Sequence, residues 1–427
     1  MVDSRQDRTG RVAAATPVWE GGDLPEVPGI GTDRTVVLHT RVVTASGGGP
    51  DKTILLSAPF LSHTQYFLAA AYMRPPGDPG FATLLERAQR YGCPIIGVDD
   101  GGPLDRRPLQ KLLEICKRLN VAVWHGHDYK SNLFGLLLRP FWPMKLVTTV
   151  HGWVHNTSRT PLYYAIDRWS LPFYHHVICV SDDLVGRIRG VGVPEDRISL
   201  VHNAIDERTF KRSGPAGQAP MRQRLGTPPE RLVYGAVGRL SAEKAFNNLI
   251  RAGAALLERG VDLEVWIAGE GDSRGDLQRM IDRLGLASRI RLLGFVEDTI
   301  GLYEAMDCFV LSSIREGLPN VVLEAAAMEV PLVATRVAGI PAMLHDGEQA
   351  LLCPIGDVEA LIRAMGRLAG DIALRHQLAA AGRRLIERDY SFTRRMQKVK
   401  SIYDKLLSHA PETAPAGLPT EVEGERP

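Results

Sequence analysis

Short apolar runs and amphipathic segments alternate along the chain in two series, the first of which extends from about residue 34 to 205. Short apolar runs are typical of buried strands, whereas apolar residues at i, i+3 and i+4 indicate helices. In the first series the predicted strands are 36–43, 66–72, 94–98, 121–125, 145–150, 177–180 and 198–201, and the predicted helices are 50–61, 81–91, 109–120, 132–138, 161–171 and 183–191. This alternation predicts a mostly parallel sheet with helices on both faces.

The second series has the same character and ends near residue 390. Its predicted strands are 232–237, 263–268, 290–293, 308–311, 332–334 and 350–353, and its predicted helices include 245–259, 273–284, 301–305, 319–329 and 358–369. A last helix with one buried stripe is predicted from the helical spacing of Phe392, Met396, Val399, Ile402, Tyr403 and Leu406. The predicted fold class is therefore α/β, with two doubly wound, Rossmann-like domains.

Composition sets the domain boundaries. A linker is predicted at 206–230, which is rich in glycine and proline. We expect a first domain at 34–205, a second domain at 231–390, and disordered tails at 1–33 and 409–427, where periodic apolar residues are lacking. Ligands of open α/β sheets bind beyond the carboxyl ends of the strands, so the chemistry is expected at strand-to-helix turns facing a cleft between the domains.

Overall composition narrows the class of protein. The chain has 427 residues, 44% hydrophobic and 23% charged, and a formal net charge of +2, which gives no indication of nucleic-acid binding. The five cysteines form no Cys-x-x-Cys pair and are expected in the core of a protein from a reducing compartment. No apolar run has the length of a membrane span or of a signal-peptide core, so we expect a soluble protein in the cytosol, or at most in contact with the cytoplasmic face of a membrane.

The charge is spread unevenly, since residues 34–212 hold 22 lysines and arginines against 15 acidic residues. Two aromatic segments in this half, 141–144 and 169–174, have the basic neighbours Arg139, Lys145, Arg159 and Arg168. One interpretation is a surface that contacts an anionic membrane or a lipid-linked acceptor. The other is ordinary core packing beneath a solvated, slightly basic surface.

The most specific segment is Arg-Glu-Gly-Leu-Pro-Asn-Val-Val-Leu-Glu, which ends at Glu324 and follows an apolar run. Pro319 suits the first turn of a helix, where its missing N–H is not needed. Free amides around Asn320 and Val321 would then form a site for a phosphate. Glu316 and Glu324 would accept hydrogen bonds from a sugar and a ribose of one ligand. The alternative is a helix-capping Glu316 with a solvated Glu324.

A second segment, Gly-Arg239-Leu-Ser-Ala-Glu-Lys244, also follows a predicted strand and opens a helix. Arg239 and Lys244 would flank a diphosphate and neutralise the charge on a departing nucleotide. Two surface cations in a loop are the alternative. The neighbouring two-glutamate segment favours the functional interpretation.

Two histidine segments end strands of the first domain, His125-Gly-His127-Asp128-Tyr-Lys130 and Thr-Val-His151-Gly. The pattern His-x-His-Asp resembles a metal site. No further histidine or cysteine stands at ligand spacing, so the sequence favours a polar set on the acceptor side of the cleft over a metal. No cofactor or metal is expected.

A glycine loop, Ser-Gly-Gly48-Gly49-Pro, connects the first predicted strand and helix of the first domain. Without Cβ atoms its backbone can approach a ligand closely. A tight structural turn is the alternative. The chain contains no Asp-x-Asp pair, no nucleophile elbow and no dinucleotide fingerprint.

These segments, with Ile-Ala-Gly-Glu-Gly271 and Leu-Gly-Phe295-Val296, resemble family 4 glycosyltransferases over nearly all of 34–408. The resemblance implies the GT-B fold, a nucleotide-diphospho-sugar donor, a retaining mechanism and no metal requirement. It also implies that the last helix, 391–408, crosses back to the first domain. Ala245 departs from the glycine that the family usually has after the lysine, and we expect little consequence.

The resemblance also implies a role for each matching residue. Glu316 would bind sugar hydroxyls, Glu324 the ribose, and the backbone near Phe295 the base. The catalytic candidates are Glu316, His151, Arg239 and Lys244, with His151 near the donor sugar. The alternative for His151 is a buried histidine whose hydrogen bonds are satisfied within the protein. The donor-binding set is Gly48, Gly49, Glu324, Gly317, Leu318, Pro319, Asn320, Val321, Phe295 and Val296, and the acceptor-side candidates are His125, His127, Asp128 and Lys130.

The predicted function is transfer of a sugar to a glycan, glycolipid or lipid-linked acceptor in cell-surface polysaccharide or glycoconjugate synthesis. By resemblance the favoured donor carries uridine. We expect front-face departure and attack, which needs no side-chain nucleophile. Two alternatives remain on the same scaffold, a nucleotide-sugar 2-epimerase and a non-catalytic protein that binds a sugar nucleotide.

Overall fold

The computed structural model describes residues 18–20, 34–44, 47–102, 105–152, 160–316 and 319–408. They form two α/β domains, each built on a parallel sheet. The first-domain strands are β1 (Val18–Glu20), β2 (Thr35–Val42), β3 (Tyr66–Arg74), β4 (Ile95–Asp99), β5 (Val121–Gly126), β6 (Lys145–Val150), β7 (His176–Cys179) and β8 (Ile198–Leu200). Their order in the sheet is β1-β4-β3-β2-β5-β6-β7-β8.

Helices cover both faces of this sheet. They are α1 (Gly49–Leu61), α2 (Phe81–Tyr91), α3 (Arg107–Arg118), α4 (Tyr129–Leu138), α5 (Thr160–Ser170) and α6 (Asp182–Gly190). Successive side chains of a strand point to opposite faces, so Val36 and Leu38 join the core on one face while Val37 joins the core on the other. The near-continuous apolar runs of the sequence reflect this double burial.

The second-domain strands are β9 (Leu232–Val237), β10 (Leu263–Ala268), β11 (Ile290–Gly294), β12 (Cys308–Leu311), β13 (Leu332–Thr335) and β14 (Ala350–Cys353). Their order is β11-β10-β9-β12-β13-β14. This order reverses between β9 and β12, which pair at the centre of the sheet. The carboxyl ends of those two strands therefore form the crevice where doubly wound sheets bind ligands.

The helices that follow the first domain are α7 (Pro215–Leu225), α8 (Phe246–Glu258), α9 (Arg274–Arg283), α10 (Thr299–Ala305), α11 (Asn320–Ala327), α12 (Ile340–Met343), α13 (Val358–Gly370), α14 (Ile372–Leu385) and α15 (Phe392–Ser408). The periodicity of the sequence does not reveal α14. Only a few of its positions are buried, among them Leu374, Leu378 and Leu385, and they are separated by charged residues and alanines. Its apolar stripe is too sparse to stand out.

The segment predicted as a linker is partly a helix of the second domain, which corrects that prediction. Helix α7 packs against α10. The buried Arg222 donates to the carbonyl of Ala305 at 3.1 Å and pairs with Asp307 at 2.6 Å. These contacts make residues 215–225 part of the second domain, although Pro220 lies inside the helix.

Helix α15 is the last helix of the chain, but it packs on the first domain. The chain crosses between the domains at Ile205, whose backbone bonds to Tyr390 and Phe392 at 2.9 Å each. Phe392, Met396 and Tyr403 then join the first-domain core. The stripe read from the sequence is thus buried against the first sheet.

Strand β1 lies in the segment expected to be a disordered tail, so that expectation is wrong for Val18–Glu20. These residues pair in parallel with β4 at the edge of the sheet. The rest of 1–33, and all of 409–427, lie outside the described residues. For those residues the prediction of disordered tails stays a prediction.

All five cysteines are buried and none forms a disulfide. Burial raises the pKa of the Cys116 thiol to about 12 and that of Cys353 to about 11, so both stay protonated near neutral pH. In the part of the chain that the structure describes, no helix is both long enough and apolar enough to cross a membrane.

Candidate active site

Glu316 and Lys244 meet beyond the carboxyl ends of the two central strands of the second domain. Lys244 follows β9 and Glu316 follows β12. Lys244 Nζ lies 2.5 Å from Glu316 Oε1, and Ser313 Oγ donates to the same oxygen at 2.7 Å. Both charged side chains are largely buried. The two segments that the sequence analysis singled out therefore converge on one ion pair.

Glycines allow the loop leading to Lys244 to pack tightly against its neighbour. A Cβ atom at Gly269 would lie 1.9 Å from the carbonyl oxygen of Gly238. One at Gly271 would lie 2.4 Å from that of Leu240. Since real Cβ atoms do not approach backbone so closely, these positions require glycine. The Ala-Gly-Glu-Gly motif thus supports the cationic loop and need not touch a ligand.

Ala245 connects the turn at Lys244 to helix α8 in the left-handed conformation, with φ 48° and ψ 41°. This conformation costs an L-residue about 1–2 kcal/mol, whereas glycine adopts it freely. The backbone geometry therefore explains why glycine suits this position. Ala245 is also buried, which leaves little room for a larger side chain.

Glu324 lies buried on α11 and accepts hydrogen bonds from both domains. Tyr303 Oη donates to Glu324 Oε2 at 2.9 Å, and Lys52 Nζ lies 3.1 Å from Glu324 Oε1. Burial, with the Glu324 charge beside it, holds the pKa of Tyr303 well above its usual range, so the hydroxyl remains a donor. Lys52 belongs to α1 of the first domain, and this pair therefore spans the cleft.

The glycine loop of the first domain approaches the start of α11. A Cβ atom at Gly49 would lie 3.3 Å from Asn320 Nδ2, so the two domains are close there. The neighbouring Gly48 amide donates to Asp51 Oδ2 at 2.5 Å. Pro319 occupies the N-cap of α11, and Asn320 Oδ1 is buried without a hydrogen-bond partner among the described residues. A buried acceptor of this kind at the cleft fits a ligand hydroxyl or amide.

Three other donor-side candidates lie around this centre. Arg239 is exposed, and its guanidinium lies 3.9 Å from Glu243 Oε1. The Phe295 ring is 75% exposed beyond β11, and Val296 packs partly against the core. Gly317 and Leu318 lie outside the described residues.

A ladder of three buried histidines and the partly buried His151 runs through the first domain. His151 Nε2 lies 3.1 Å from His127 Nδ1, and His127 Nε2 lies 2.8 Å from His39 Nδ1. His39 Nε2 lies 3.4 Å from the hydroxyl of Tyr403, which is 2.6 Å from His125 Nδ1. The ladder thus joins His151 at the cleft to the helix that returns from the second domain.

Burial keeps every imidazole of this ladder neutral. Desolvation lowers the pKa of His39 to about 3, and it lowers those of His125, His127 and His151 well below their usual range. Each neutral ring carries one donor and one acceptor nitrogen. The hydrogen bonds along the ladder can therefore all be satisfied without a net charge.

The histidine cluster meets the elementary requirement for a metal, since ligand atoms of His39, His125 and His127 lie within 4.8 Å of one another. The sequence analysis missed His39 as the third histidine. However, the ring planes of His125 and His127 are stacked, with 8° between them. Stacked rings direct their nitrogens along parallel planes, and His125 Nε2 already lies 2.8 Å from Thr149 Oγ1. The arrangement is that of a hydrogen-bonded network.

The four acceptor-side candidates all make contacts within the protein, and their place on the acceptor side stays a prediction. His125 and His127 are buried in the ladder. Asp128 caps helix α4 by accepting from the amides of Lys130 and Ser131 at 3.0 and 2.9 Å. Lys130 is buried and pairs with Asp100 at 2.5 Å. Their polar atoms are thus engaged by other groups of the first domain.

Several polar residues at the cleft were not found from the sequence. Arg41, at the end of β2, lies 3.1 Å from the buried Asp51 in the glycine-loop helix. Lys52 lies in the same helix. His39 stands opposite His125 in the β2–β5 register, a pairing of distant strands that no local pattern announces. A histidine within a predicted strand was the one available signal.

Two facing parallel-sheet domains, with an acidic pair, a lysine and a glycine loop brought together where their strands end, define the class of GT-B glycosyltransferases. The chain belongs to the family 4 glycosyltransferases. Residues 62–209 match the profile described as Glycosyltransferase Family 4, and residues 231–371 match the one described as Glycosyl transferases group 1. Together the two matches cover about two thirds of the chain.

Similar proteins include bacterial glycosyltransferases. The chain is 36% identical over 190 residues to the lipopolysaccharide core biosynthesis glycosyltransferase LpsE of Rhizobium meliloti, a match covering 44% of this chain and 54% of that protein. It is 24% identical over 310 residues to an Escherichia coli UDP-Gal:alpha-D-GlcNAc-diphosphoundecaprenol alpha-1,3-galactosyltransferase, covering 70% of this chain and 79% of that one. The match to LpsE thus spans about half of that relative's length.

Solved structures share the fold. The crystal structure of Anabaena HepE in complex with UDP matches 87% of this chain and 100% of that one, with a TM-score of 0.73 and 19% sequence identity. HepE has also been solved with UDP-glucose, and that structure has a TM-score of 0.71. At this identity the likeness establishes the two-domain architecture.

Proposed function

We propose that this protein is a retaining, metal-independent glycosyltransferase that uses a nucleotide-diphospho-sugar, with UDP as the nucleotide. The observation that carries the proposal is the pair of Lys244 and Glu316, 2.5 Å apart at the strand ends beside the start of α11. In this pair a cation that can bind phosphate lies beside a carboxylate that can accept hydrogen bonds from sugar hydroxyls. Glu324, further along the same helix, supplies the acceptor for the ribose.

The reaction exchanges one carbon–oxygen bond for another on the same face of the sugar. The bond from the anomeric carbon to the leaving phosphate breaks, and the acceptor oxygen bonds to that carbon. The acceptor proton passes to the leaving phosphate oxygen, so no side-chain nucleophile is needed. Charge grows on the phosphate as the bond breaks, and groups held in place to meet that charge lower the barrier.

Lys244 is well placed for that task. Its ammonium group has three N–H donors, and the contact with Glu316 Oε1 engages one. Glu316, itself fixed by Ser313 Oγ at 2.7 Å, therefore orients the ammonium group while leaving donors for the phosphate. The amides at the start of α11 and the exposed Arg239 would complete the neutralisation.

Metal independence is part of the proposal. A divalent cation on a diphosphate is usually held by carboxylates. Here Glu316 is paired with Lys244 and Glu324 with Lys52, so the described acidic groups of the cleft are already neutralised by cations. Lysine and helix amides then do for the leaving phosphate what a metal does elsewhere.

The donor and acceptor classes follow from the relatives. HepE binds UDP and UDP-glucose, and the Escherichia coli relative acts on a sugar linked to diphosphoundecaprenol. We propose a UDP-sugar donor and a glycan or lipid-linked acceptor in surface polysaccharide synthesis. A lipid-linked acceptor also requires peripheral contact with the cytoplasmic face of a membrane.

The test is transfer by the variants Glu316→Ala and Glu316→Gln with a panel of nucleotide-sugars. Loss of hydrogen bonds to a charged group should lower kcat/KM by about 10–150-fold, with the melting temperature little changed. Glu359→Ala, an exposed change in the same domain, is the control. A fully active Glu316→Ala protein would end the assignment.

Two further arms separate the alternatives. Incubation of the UDP-sugar alone, analysed by mass and by chromatography of the sugars, should show no epimer, because a transferase needs an acceptor. Tight donor binding without turnover on any acceptor would favour a binding protein. Activity should survive excess chelator, and loss of activity restored by a divalent cation would contradict the metal-independent mechanism.

A further inference from the structure

Helix α5 packs with its polar side inward and its apolar side outward. Leu162 is 62% exposed and Trp169 is 60% exposed, seven residues apart and therefore on one face. Asp167 and Ser170, between and beyond them, are buried. Phe173, just after the helix, is also exposed and its ring lies 5.3 Å from that of Trp169. A surface helix normally has the reverse arrangement.

A hydrogen bond to the neighbouring helix α4 holds the polar side of α5 inward, and this fixes the outward orientation of the apolar side. Asn132 Nδ2, on α4, donates to Asp167 Oδ1 at 2.7 Å. Ser170 Oγ donates to the Asp167 carbonyl at 2.7 Å. Turning the helix to bury its apolar stripe would break the hydrogen bond between Asn132 and Asp167 in the interior, where an unpaired polar group is costly.

Helix α4, which packs against α5, also leaves apolar side chains exposed at its end. Leu137 and Phe141 are exposed, Phe141 to 67%. By contrast Trp142 packs against the core and donates its Nε1 hydrogen bond to the Val121 carbonyl at 2.8 Å. Core packing therefore explains one part of the aromatic segments seen in the sequence and leaves Phe141, Trp169 and Phe173 unexplained.

A cationic cavity adjoins these aromatics. It has a volume of about 340 Å³, and Phe173 forms part of its wall. Four cations line it, Arg139, Lys145, Arg197 and Lys405, against a single carboxylate, Asp196. Such a cavity attracts anions.

His175 lies in the wall of the same cavity, close to these cations. After burial, the charges of Arg139, Lys145 and Arg197 are the main causes that lower its pKa to about 4. The ring is therefore neutral near neutral pH and adds no charge of its own. Three cations from three different elements act on one point at the surface.

The cationic groups and the adjoining Phe173 lie at the end of the sheet where the strands begin, whereas the cleft lies at the end where they finish. Lys145 begins β6 and His175 immediately precedes β7, whereas His151 follows the carboxyl end of β6. In a parallel sheet the two ends of a strand lie at opposite edges. The cationic cavity and Phe173 in its wall are thus separate from the proposed catalytic centre.

We propose that this aromatic–basic face, formed by Leu137, Phe141, Leu162, Trp169 and Phe173 with Arg139, Lys145, Arg197 and Lys405, docks the protein on a bilayer that contains anionic phospholipid. Apolar side chains enter the boundary between headgroups and acyl chains while the cations meet the phosphates. A small soluble anion would use the cavity but not the five apolar side chains around it. Charge complementarity and outward aromatics together favour a lipid surface.

The test is co-sedimentation of the full chain with phosphatidylcholine vesicles, with and without phosphatidylglycerol. The protein should bind the anionic vesicles and release them in high salt. Arg139→Gln with Lys145→Gln should weaken binding about 25-fold, at roughly fivefold for each cation. Trp169→Ser with Phe173→Ser should abolish stable binding. Arg279→Gln with Arg283→Gln, on α9 of the second domain, is the matched charge control and should bind normally.

The remaining arms identify other occupants, each of which would overturn the proposal. Stabilisation by inorganic phosphate without vesicle binding would indicate a site for a small anion. A dimer that Trp169→Ser with Phe173→Ser converts to a monomer would indicate a second copy on this face. Transfer to a soluble acceptor should be equal in all these variants, since none lies at the cleft. Vesicle binding and catalysis therefore fail or succeed separately.

Discussion

Lys52 Nζ, in the first domain, lies 3.1 Å from Glu324 Oε1, in the second. This pair closes the cleft at the point where the donor ribose is proposed to bind. Glu324 is buried while Lys52 is half exposed, so the carboxylate is fixed and the lysine can move aside. The same carboxylate accepts from the Tyr303 hydroxyl at 2.9 Å, which holds it in place when Lys52 leaves.

Glu324→Gln should raise the KM for the donor by about 10–150-fold with a smaller effect on kcat, because charge-assisted hydrogen bonds to the ribose are lost far from the reacting carbon. Steady-state kinetics with varied donor measures both constants. Lys52→Met is the matched control and should change KM by less than about fivefold, since partly exposed pairs contribute about 0.2–1 kcal/mol. A selective fall in kcat would place Glu324 at the reacting centre instead.

Lys244→Met should lower kcat by about 10²–10³-fold while KM for the donor changes less, because the ammonium group meets charge that grows only in the transition state. Rapid-quench or steady-state transfer assays would show this. Arg251→Met, on the neighbouring helix α8, is an exposed-cation control. An equal loss in both variants would contradict a specific role for Lys244.

Acid should destabilise the protein through the histidine ladder. Burial lowers these pKa values, so the unfolded chain takes up protons below its usual pKa of about 6.5 while the folded ladder does not. The contribution to stability is therefore complete above that pKa and is lost as pH falls, over a window reaching about 3 for His39. Each histidine contributes up to about 1.4 kcal/mol per pH unit within the window.

Urea unfolding at about pH 7.5 and about pH 5 measures how the free energy of unfolding changes with pH. These two values lie on either side of the histidine pKa in the unfolded chain, about 6.5. His39→Gln should reduce the slope by about one proton although it also lowers stability at the upper pH. His376→Gln, at an exposed position of α14, controls for the loss of an imidazole. An unchanged slope for His39→Gln would show that the ladder is not the source.

Tyr403→Phe should destabilise the protein by about 1–3 kcal/mol, because it leaves buried nitrogens of His39 and His125 without their shared hydroxyl. Urea unfolding measures the change. Tyr66→Phe is the matched control, since its hydroxyl donates to the partly exposed Asp404 at 2.7 Å, where water can take over. Equal losses in the two variants would argue against a special role of the ladder.

Ala245→Gly should stabilise the protein by up to about 1 kcal/mol. Relief of left-handed strain, about 1–2 kcal/mol, exceeds the added chain entropy of glycine, about 0.5–1 kcal/mol. Ala245→Val should destabilise it, since a branched residue is strained at φ 48° and the site is buried. Thermal unfolding of the two variants measures these changes in stability. A glycine variant less stable than the unmodified protein would contradict the argument from left-handed strain.

The sequence by itself determined the α/β architecture and the centre of the proposed donor site. The strands could be recognised as short apolar runs because both faces of a parallel sheet are buried. Glu316 and Lys244 could be found because each lies in a short segment whose glycines and proline mark a strand-to-helix turn, and β9 and β12 are neighbours at the centre of their sheet.

Only the tertiary structure decided which polar residues share an environment. His39, His125 and Tyr403 lie on two strands and a distant helix, and the register of β2 with β5 brings them together. His127 and Lys130 resembled ligand-binding residues until burial and pairing showed them to be internal. Local patterns record how a segment folds, but contacts between segments far apart in sequence depend on the packing of the whole chain, which no single segment encodes.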